Sequence, residues 1–364
     1  DKMAFGGIYD QMGGGFSRYS VDKSWKAPHF EKMLYDNGQM VSLYSNAYLA
    51  TKDNLYKEVV TQTLSFIARE CTNSEGAFFS SYDADSLTQE GILEEGAYYI
   101  FTKEELRKEL GEDFELFSTY YNINSFGLWE NNHYVLIRSK SDSVICQEYG
   151  ITQEVLLNKK ETWRKVLLNF RNKRDKPRLD DKILTSWNGL MLKGYVDAYK
   201  AFQEPEYLEA ALKNAHFIKS KQWQSSGALF HNYKDGKSTI NGYLEDYATV
   251  IDAFIGVYEI TLDSQWIDIA NELTSYTYAH FFDSEKQLFY FTSDQDPTLI
   301  TRSFEYRDNV IPASNSMMAK NLSVLSHHFD NQTYATTATQ MLKNVLPEIE
   351  KYPSGFSNWL DLLA

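Results

Sequence analysis

Four stretches of this chain begin alike. Each opens on polar residues and runs on as about four turns of small and apolar residues spaced i, i+3, i+4 and i+7, the signature of one helix face. They are HFEKMLYDNGQMVSLY from His29, KILTSWNGLMLKGYVDAY from Lys182, YLEDYATVIDAFIGVY from Tyr243 and PASNSMMAKNLSVLS from Pro312. A second amphipathic helix follows each, near residues 55–69, 206–221, 264–282 and 332–349, after breaks such as Gln203-Glu204-Pro205 and Leu262-Asp263-Ser264. An extended element with a recurrent pattern comes next: Gly76-Ala77-Phe78-Phe79, Gly227-Ala228-Leu229-Phe230 and Gln287-Leu288-Phe289-Tyr290, with Gly14-Gly15-Phe16-Ser17 as an earlier copy.

Asn188, Tyr247 and Ser316 mark a period of about 60 residues, longer than the ~34–47 of the open helical arrays. The spacing from Asn37 to Asn188 leaves room for one irregular unit, with a strand at residues 97–101, helices within 103–121, an extended piece at 133–137 and a helix at 152–171. Pro353 to Trp359 repeats the opening of Pro312 to Asn315, so a sixth first helix begins there. Small residues such as Gly38, Gly189, Gly194, Ala248 and Gly256 suit a crowded inner layer, and the second helices carry more charge. The expectation is an all-α (α/α)6 toroid, a six-hairpin barrel with short β-hairpin loops and a small irregular insertion at residues 95–150. It forms one domain over 1–364, truncated at both ends, and the starts of its inner helices gather at one mouth.

The residues at those starts are polar where the rest of each helix is not. Capping accounts for some of them, because a helix N-terminus has unpaired N–H groups and favours acids. It does not account for Asp36-Asn37, Trp187-Asn188 or Glu245-Asp246-Tyr247, a turn or more inside. Buried carboxylates are costly unless paired or solvated, so a wet pocket lined with acids, amides and rings is the cheaper arrangement. Such a lining bonds hydroxyls and stacks on sugar C–H faces.

Composition narrows the ligand further. With 36 Lys and Arg against 50 Asp and Glu, the net charge of −14 argues against nucleic acid, which is held by phosphate neutralisation. No glycine-rich phosphate motif occurs, no apolar run is long enough to span a membrane, and two cysteines, Cys71 and Cys146, make no disulfide framework, so a cytoplasmic setting is expected. Asp83-Ala84-Asp85-Ser86 lacks the third oxygen of a calcium loop at Leu87; neither a metal nor a cofactor is expected. The catalytic candidates are His29, Asp83, Asp85, Asp181, Glu245 and Asp246. The substrate-binding candidates are Arg18, Tyr19, Glu31, Lys32, Asp36, Tyr98, Trp187, Asn188, Tyr247 and Asn315. Two carboxyls about 5–9.5 Å apart can hydrolyse a glycosidic bond. An epimerase would call for two bases of neutral range on opposite faces of the substrate, usually His. Only His29 belongs to an inner-helix start, and His231, after a loop strand, is the other plausible base.

The run Asp10-Gln11-Met12-Gly13-Gly14-Gly15-Phe16-Ser17-Arg18-Tyr19, then Pro28-His29-Phe30-Glu31-Lys32-Met33-Leu34-Tyr35-Asp36-Asn37, resembles the signature of YyaL-type proteins, relatives of the spermatogenesis-associated thioredoxin-domain protein. Asp83-Ala84-Asp85-Ser86, Glu95-Gly96-Ala97-Tyr98-Tyr99 and Asp180 to Met191 extend the likeness over most of the chain. The resemblance implies an (α/α)6 barrel similar to N-acylglucosamine 2-epimerases and six-hairpin glycosidases, a thioredoxin-like domain upstream, and further sequence downstream. Two readings follow: a carbohydrate-active enzyme using carboxylates at the mouth, or a non-catalytic scaffold that serves the redox domain. The scaffold predicts mouth carboxylates tied up by Arg18, Lys32 and Lys182. The enzyme predicts an open acidic site with at least one raised carboxyl pKa.

Overall fold

The computed structural model describes residues 1–297 and 300–364. Its backbone contacts cluster into two units, one comprising Asp1–Met40, Ala47–Cys71 and Ser81–Asp180, the other Val41–Asn46, Thr72–Ser80 and Asp181–Ala364. After a short α1 (Lys2–Phe5), the helices are α2 (Leu34–Thr51), α3 (Asn54–Glu70), α4 (Lys103–Leu110), α5 (Phe114–Tyr120), α6 (Asp142–Tyr149) and α7 (Gln153–Arg171). Then come α8 (Thr185–Phe202), α9 (Pro205–Phe217), α10 (Leu244–Thr261), α11 (Ser264–His280), α12 (Ser314–His328), α13 (Gln332–Ile349) and α14 (Ser357–Leu363). All strands are two or three residues long. Among the described residues no helix is long and apolar enough to cross a membrane.

The hairpin turns share a local cause. Lys52, Gln203, Leu262 and Asp330 each take positive φ at the end of a first helix, and in three of the four the next residue, Asp53, Asp263 or Asn331, accepts an N–H of the new helix. That side-chain acceptor satisfies a backbone donor which would otherwise be orphaned. At the fourth turn Pro205 opens α9, at a helix position that needs no donor.

In the second unit the first helices pack closely enough to require small residues. A Cβ on Gly189 of α8 would come within 2.9 Å of the Thr249 backbone of α10. Asn321 of α12 donates to the Ala248 carbonyl at 2.8 Å, and Trp266 of α11 packs on Phe254 with ring centroids 5.1 Å apart. In the first unit a separate core gathers Phe101 from the strand before α4, Phe117 and Tyr120 from α5, and Trp163 and Leu167 from α7.

Three boundaries differ from the sequence reading. The stretch from His29 is not helical: Pro28–His29 pairs with Tyr19–Ser20, and Lys32–Met33 with Ser81–Tyr82, so α2 starts only at Leu34. Ile183–Leu184 likewise pairs with Asn232–Lys234 ahead of α8. In both places a strand partner distant in sequence claims main-chain groups that helical periodicity alone would assign to a helix. The strand expected at 97–101 shrinks to Phe101–Thr102, while the helices expected within 103–121 are α4 and α5, separated at Gly111, which has φ of +55°.

Candidate active site in the second unit

The helix starts carry two kinds of polar residue with different jobs. The first kind holds the extended element that follows a second helix. Asn188 Oδ1 accepts the Phe78 N–H at 2.9 Å while its Nδ2 donates to the Phe78 and Leu184 carbonyls, each at 3.0 Å. Asn315 holds Phe289 in the same way, by bonds of 2.8 Å to its N–H and its carbonyl, and donates to the Glu305 carbonyl at 2.8 Å. In the first unit Asn37 holds Phe16 by bonds of 2.7 and 3.1 Å. At the remaining copy the Tyr247 hydroxyl accepts the Leu229 N–H at 2.9 Å. All four residues are buried. The expected substrate-binding roles of Asn188, Tyr247 and Asn315 are therefore corrected: their polar atoms are spent on backbone that a short strand leaves unpaired.

The second kind lies beside these clamps, at the start of α10. Asp246 is fully buried and accepts the Ser186 and Tyr243 N–H groups, each at 2.9 Å. The Nδ1 of His231 lies 2.9 Å from its Oδ2 and 3.2 Å from its Oδ1. The loop strand fixes His231 through its main chain, which donates to the Ile240 carbonyl at 2.8 Å and accepts from the Thr185 N–H at 2.9 Å. The imidazole also meets the edge of the Tyr243 ring at a centroid distance of 4.9 Å. An acid holding Nδ1 sets the imidazole's orientation and reserves Nε2 for proton transfer.

Electrostatics sharpen this arrangement. Burial, then the neighbouring charges of Asp246 and Glu305, push the Glu245 carboxyl up to about 7. Burial also raises the Asp246 pKa, against the opposing pull of His231 and the two backbone donors. For His231, burial works against the imidazolium, but the Asp246 hydrogen bond and charge outweigh it, so its pKa stands above the ordinary value. No lysine or arginine forms an ion pair with Glu245 or Glu305 among the described residues. His231, Glu245 and Asp246 each offer a ligand atom within 4.8 Å of the other two. A cation there would have to displace donors from Asp246, whose oxygens already accept two N–H groups and the imidazole; the donor set suits a hydrogen-bonded dyad better.

The other candidates divide by unit. In the second, Asp181 is exposed and paired with Lys234 at 2.6 Å, so the catalytic role expected for it is corrected to a surface ion pair. Trp187 is half-buried on the first turn of α8, next to Ser186. In the first unit, Lys32 is buried at 2.9 Å from Asp10, and Asp10 is also held by Arg171 at 2.9 Å. Burial opposes the Asp10 charge, yet Arg171 and Lys32 hold its carboxyl far below the usual range; burial in turn brings Lys32 down to about 8. Tyr98 is buried with its hydroxyl on Asn172 at 2.8 Å. Lys32 and Tyr98 are thus structural, not substrate-binding. Asp83 sits 3.6 Å from the exposed Arg178, and Asp85 lies on a strand in register with Glu95.

A second group does assemble in the first unit. The His29 Nδ1 is 2.7 Å from Glu95 and its ring stacks on Tyr19 at 4.9 Å. Arg18 meets Glu31 at 3.1 Å, and Asp36 on the first turn of α2 has an Oδ2 sealed from solvent with no hydrogen-bond partner. Sequence reasoning missed Glu305, since it does not lie at a helix start.

Comparison with known proteins fits this picture. No family model matches the chain. It is 32% identical over 351 residues to spermatogenesis-associated protein 20 of Homo sapiens and 31% identical over 358 residues to that of Mus musculus. Each match covers 88% of this chain and 44% of the relative, so the chain spans under half the length of these curated relatives. Among solved structures it resembles a cellobiose 2-epimerase from Bacillus thermoamylovorans, with a TM-score of 0.58 and 10% identity over 93% of this chain and 66% of that one. A family 76 glycoside hydrolase (mannosidase) from Bacteroides thetaiotaomicron gives 0.52 and 12%, over 94% and 68%. The chain is an all-α protein of the (α/α)6 class, a fold it shares with sugar epimerases and glycoside hydrolases.

Proposed function

We propose that the chain is a carbohydrate-active enzyme that moves a proton on a reducing sugar, an epimerase- or isomerase-like reaction, with His231 and Glu245 as the acid–base pair. The observation that carries this reading is the His231–Asp246 dyad beside a carboxyl whose pKa is about 7. Asp246 is fully buried and cannot touch a substrate; it is a positioning residue. The groups left for chemistry are an imidazole whose pKa stands above its ordinary value and a carboxyl pushed up to about 7, in the range where general acid–base catalysis is most effective. On an open-chain sugar, His231 Nε2 takes the proton from the carbon beside the carbonyl as the Glu245 carboxyl protonates the carbonyl oxygen. The His231 imidazolium then returns that proton to the former carbonyl carbon as Glu245 takes the proton of the neighbouring hydroxyl, which moves the carbonyl to the adjacent carbon.

Hydrolysis by two carboxyls is less well supported. Asp246 is inaccessible, and Glu305, the other nearby acid, already accepts the Ser314 N–H at 3.1 Å at the start of α12. A scaffold would leave no carboxyl in the neutral range without a cation, and Glu245 is one. The test is proton NMR in D2O with a panel of mono- and disaccharides. The expected result is solvent deuterium entering at the carbon beside the carbonyl, slowed roughly 10²–10⁴-fold by His231→Gln and by Glu245→Gln. Release of new reducing ends from glycosides, with no deuterium incorporation, would sink the reading.

A further inference from the structure

The first unit contains a cleft of about 520 Å³ lined by its own residues. Its floor is apolar, with Ile8, Phe16 and Met40 among the lining residues, and Tyr19 and Trp25 supply aromatic surface. Arg18 and Lys23 supply cations and Asp22 and Asp36 acids. That volume lies within the ~300–1,000 Å³ typical of small-molecule sites, and an apolar lining with a few convergent polar groups is their usual composition.

Three features say what the cleft takes. Asp36 has a carboxyl oxygen buried without a partner, in a protein whose other buried acid of this unit, Asp10, is fully bonded. An orphaned buried acceptor is costly, and a ligand hydroxyl would satisfy it. Asp22, the other acid of the lining, is already occupied by the N–H groups of Ser24, Lys26 and Ala27, so Asp36 is the acid with bonding capacity to spare. The Arg18 and Lys23 cations disfavour an ammonium ligand, while Asp36 and Asp22 disfavour an anion. A neutral ligand with hydroxyls on its rim and an apolar face for the rings of Tyr19 and Trp25 fits all of these groups.

We infer that this cleft is a saccharide-binding site, in which a pyranose ring lies against Trp25 and Tyr19 and shares a hydroxyl between Asp36 and Arg18. The inference rests on the carbohydrate reading for its ligand class only; it uses neither His231 nor Glu245. Burial, reinforced by Glu31 against the opposing Arg18, pushes the Asp36 carboxyl up to about 7, so near neutrality it can donate to a sugar oxygen as well as accept from a hydroxyl.

The test uses the 364-residue chain with 13C-labelled methionine methyls, titrated with methyl α-mannopyranoside, cellobiose and glucose. Met3 and Met40 line the cleft and report its occupancy directly. The expected result is saturable shifts of these two methyls by at least one of the sugars, with Kd raised about tenfold in Asp36→Ala, one lost hydrogen bond's worth. The isosteric Asp36→Asn, which keeps the fold if alanine does not, is expected to weaken binding less. Sugar conversion without shifts at Met3 and Met40 would overturn the cleft and leave the proton-transfer reading intact. Shifts at those methyls without any conversion or deuterium exchange would do the reverse. An unchanged Kd in both Asp36 variants would also overturn it.

Discussion

Asp10 in the first unit and Asp246 in the second are both buried acids, yet they sit in opposite kinds of surroundings. Asp10 faces two fixed cations, a bidentate Arg171 and Lys32, and accepts the N–H groups of Met12 and Gly13 as well. Every charge there has its counterpart, and the carboxyl stays ionised. Asp246 faces a single titratable histidine, and its neighbour Glu245 is crowded by the charges of Asp246 and Glu305. The first arrangement locks a Gly-rich turn in place around a carboxylate that Arg171 and Lys32 hold ionised. The second leaves protons only loosely committed, which is what an acid–base site requires and a structural lock does not.

Breaking the lock gives the largest expected effect. Asp10→Ala strands an arginine and a lysine in the interior, and removing one partner of a buried ion pair costs about 3–5 kcal/mol. Urea unfolding of the variant is expected to show that loss, with a lowered midpoint. A change below about 1 kcal/mol would mean that the network is no lock and that the contrast with Asp246 is false.

The helix-start clamps come next, and they also show how far the sequence could be read. Aligning repeats brought Asn37, Asn188, Tyr247 and Ser316 to one position and Phe16, Phe78, Leu229 and Phe289 to another, without revealing that the first three, and Asn315 in place of its neighbour Ser316, bond the backbone of the second set. A polar residue near a helix start looks the same in sequence whether it faces a ligand or a strand; only the long-range pairing distinguishes them. For the same reason the hairpin periodicity and the turns at Gln203 and Leu262 were legible, because their causes are local, whereas the strands at Lys32–Met33 and Ile183–Leu184 were not. His231 stood out as a base, but its pairing with Asp246 depends on a loop strand that folds back beside α10. The clamps predict graded losses: Asn188→Ala strips the partner from a buried N–H and a carbonyl of Phe78, for about 2–4 kcal/mol, and Tyr247→Phe strips one N–H, for about 1–2 kcal/mol. Equal losses in denaturant unfolding of the two variants would contradict the bonding pattern.

The smallest expected effect tests the second half of the comparison, and its sign is the informative part. Glu245 has a pKa of about 7 in the folded chain, above its ordinary value of 4.5. Below pH 4.5 the carboxyl is protonated folded or unfolded, so it makes no difference to stability. As pH rises from 4.5 towards 7 the unfolded chain ionises and the folded one resists, so the native state loses stability; above 7 the full penalty stands. Glu245→Gln removes that penalty, and the variant is expected to exceed the wild type by about 1–3 kcal/mol at pH 8 and to match it near pH 4. His231 is present in both proteins, so its own titration largely cancels in the difference. A stabilisation that is the same at both pH values would mean that Gln packs better without relieving a charge. A destabilisation confined to high pH would mean that Glu245 is ionised and paired, which would place it with Asp10 as a lock and remove the acid from the proposed pair.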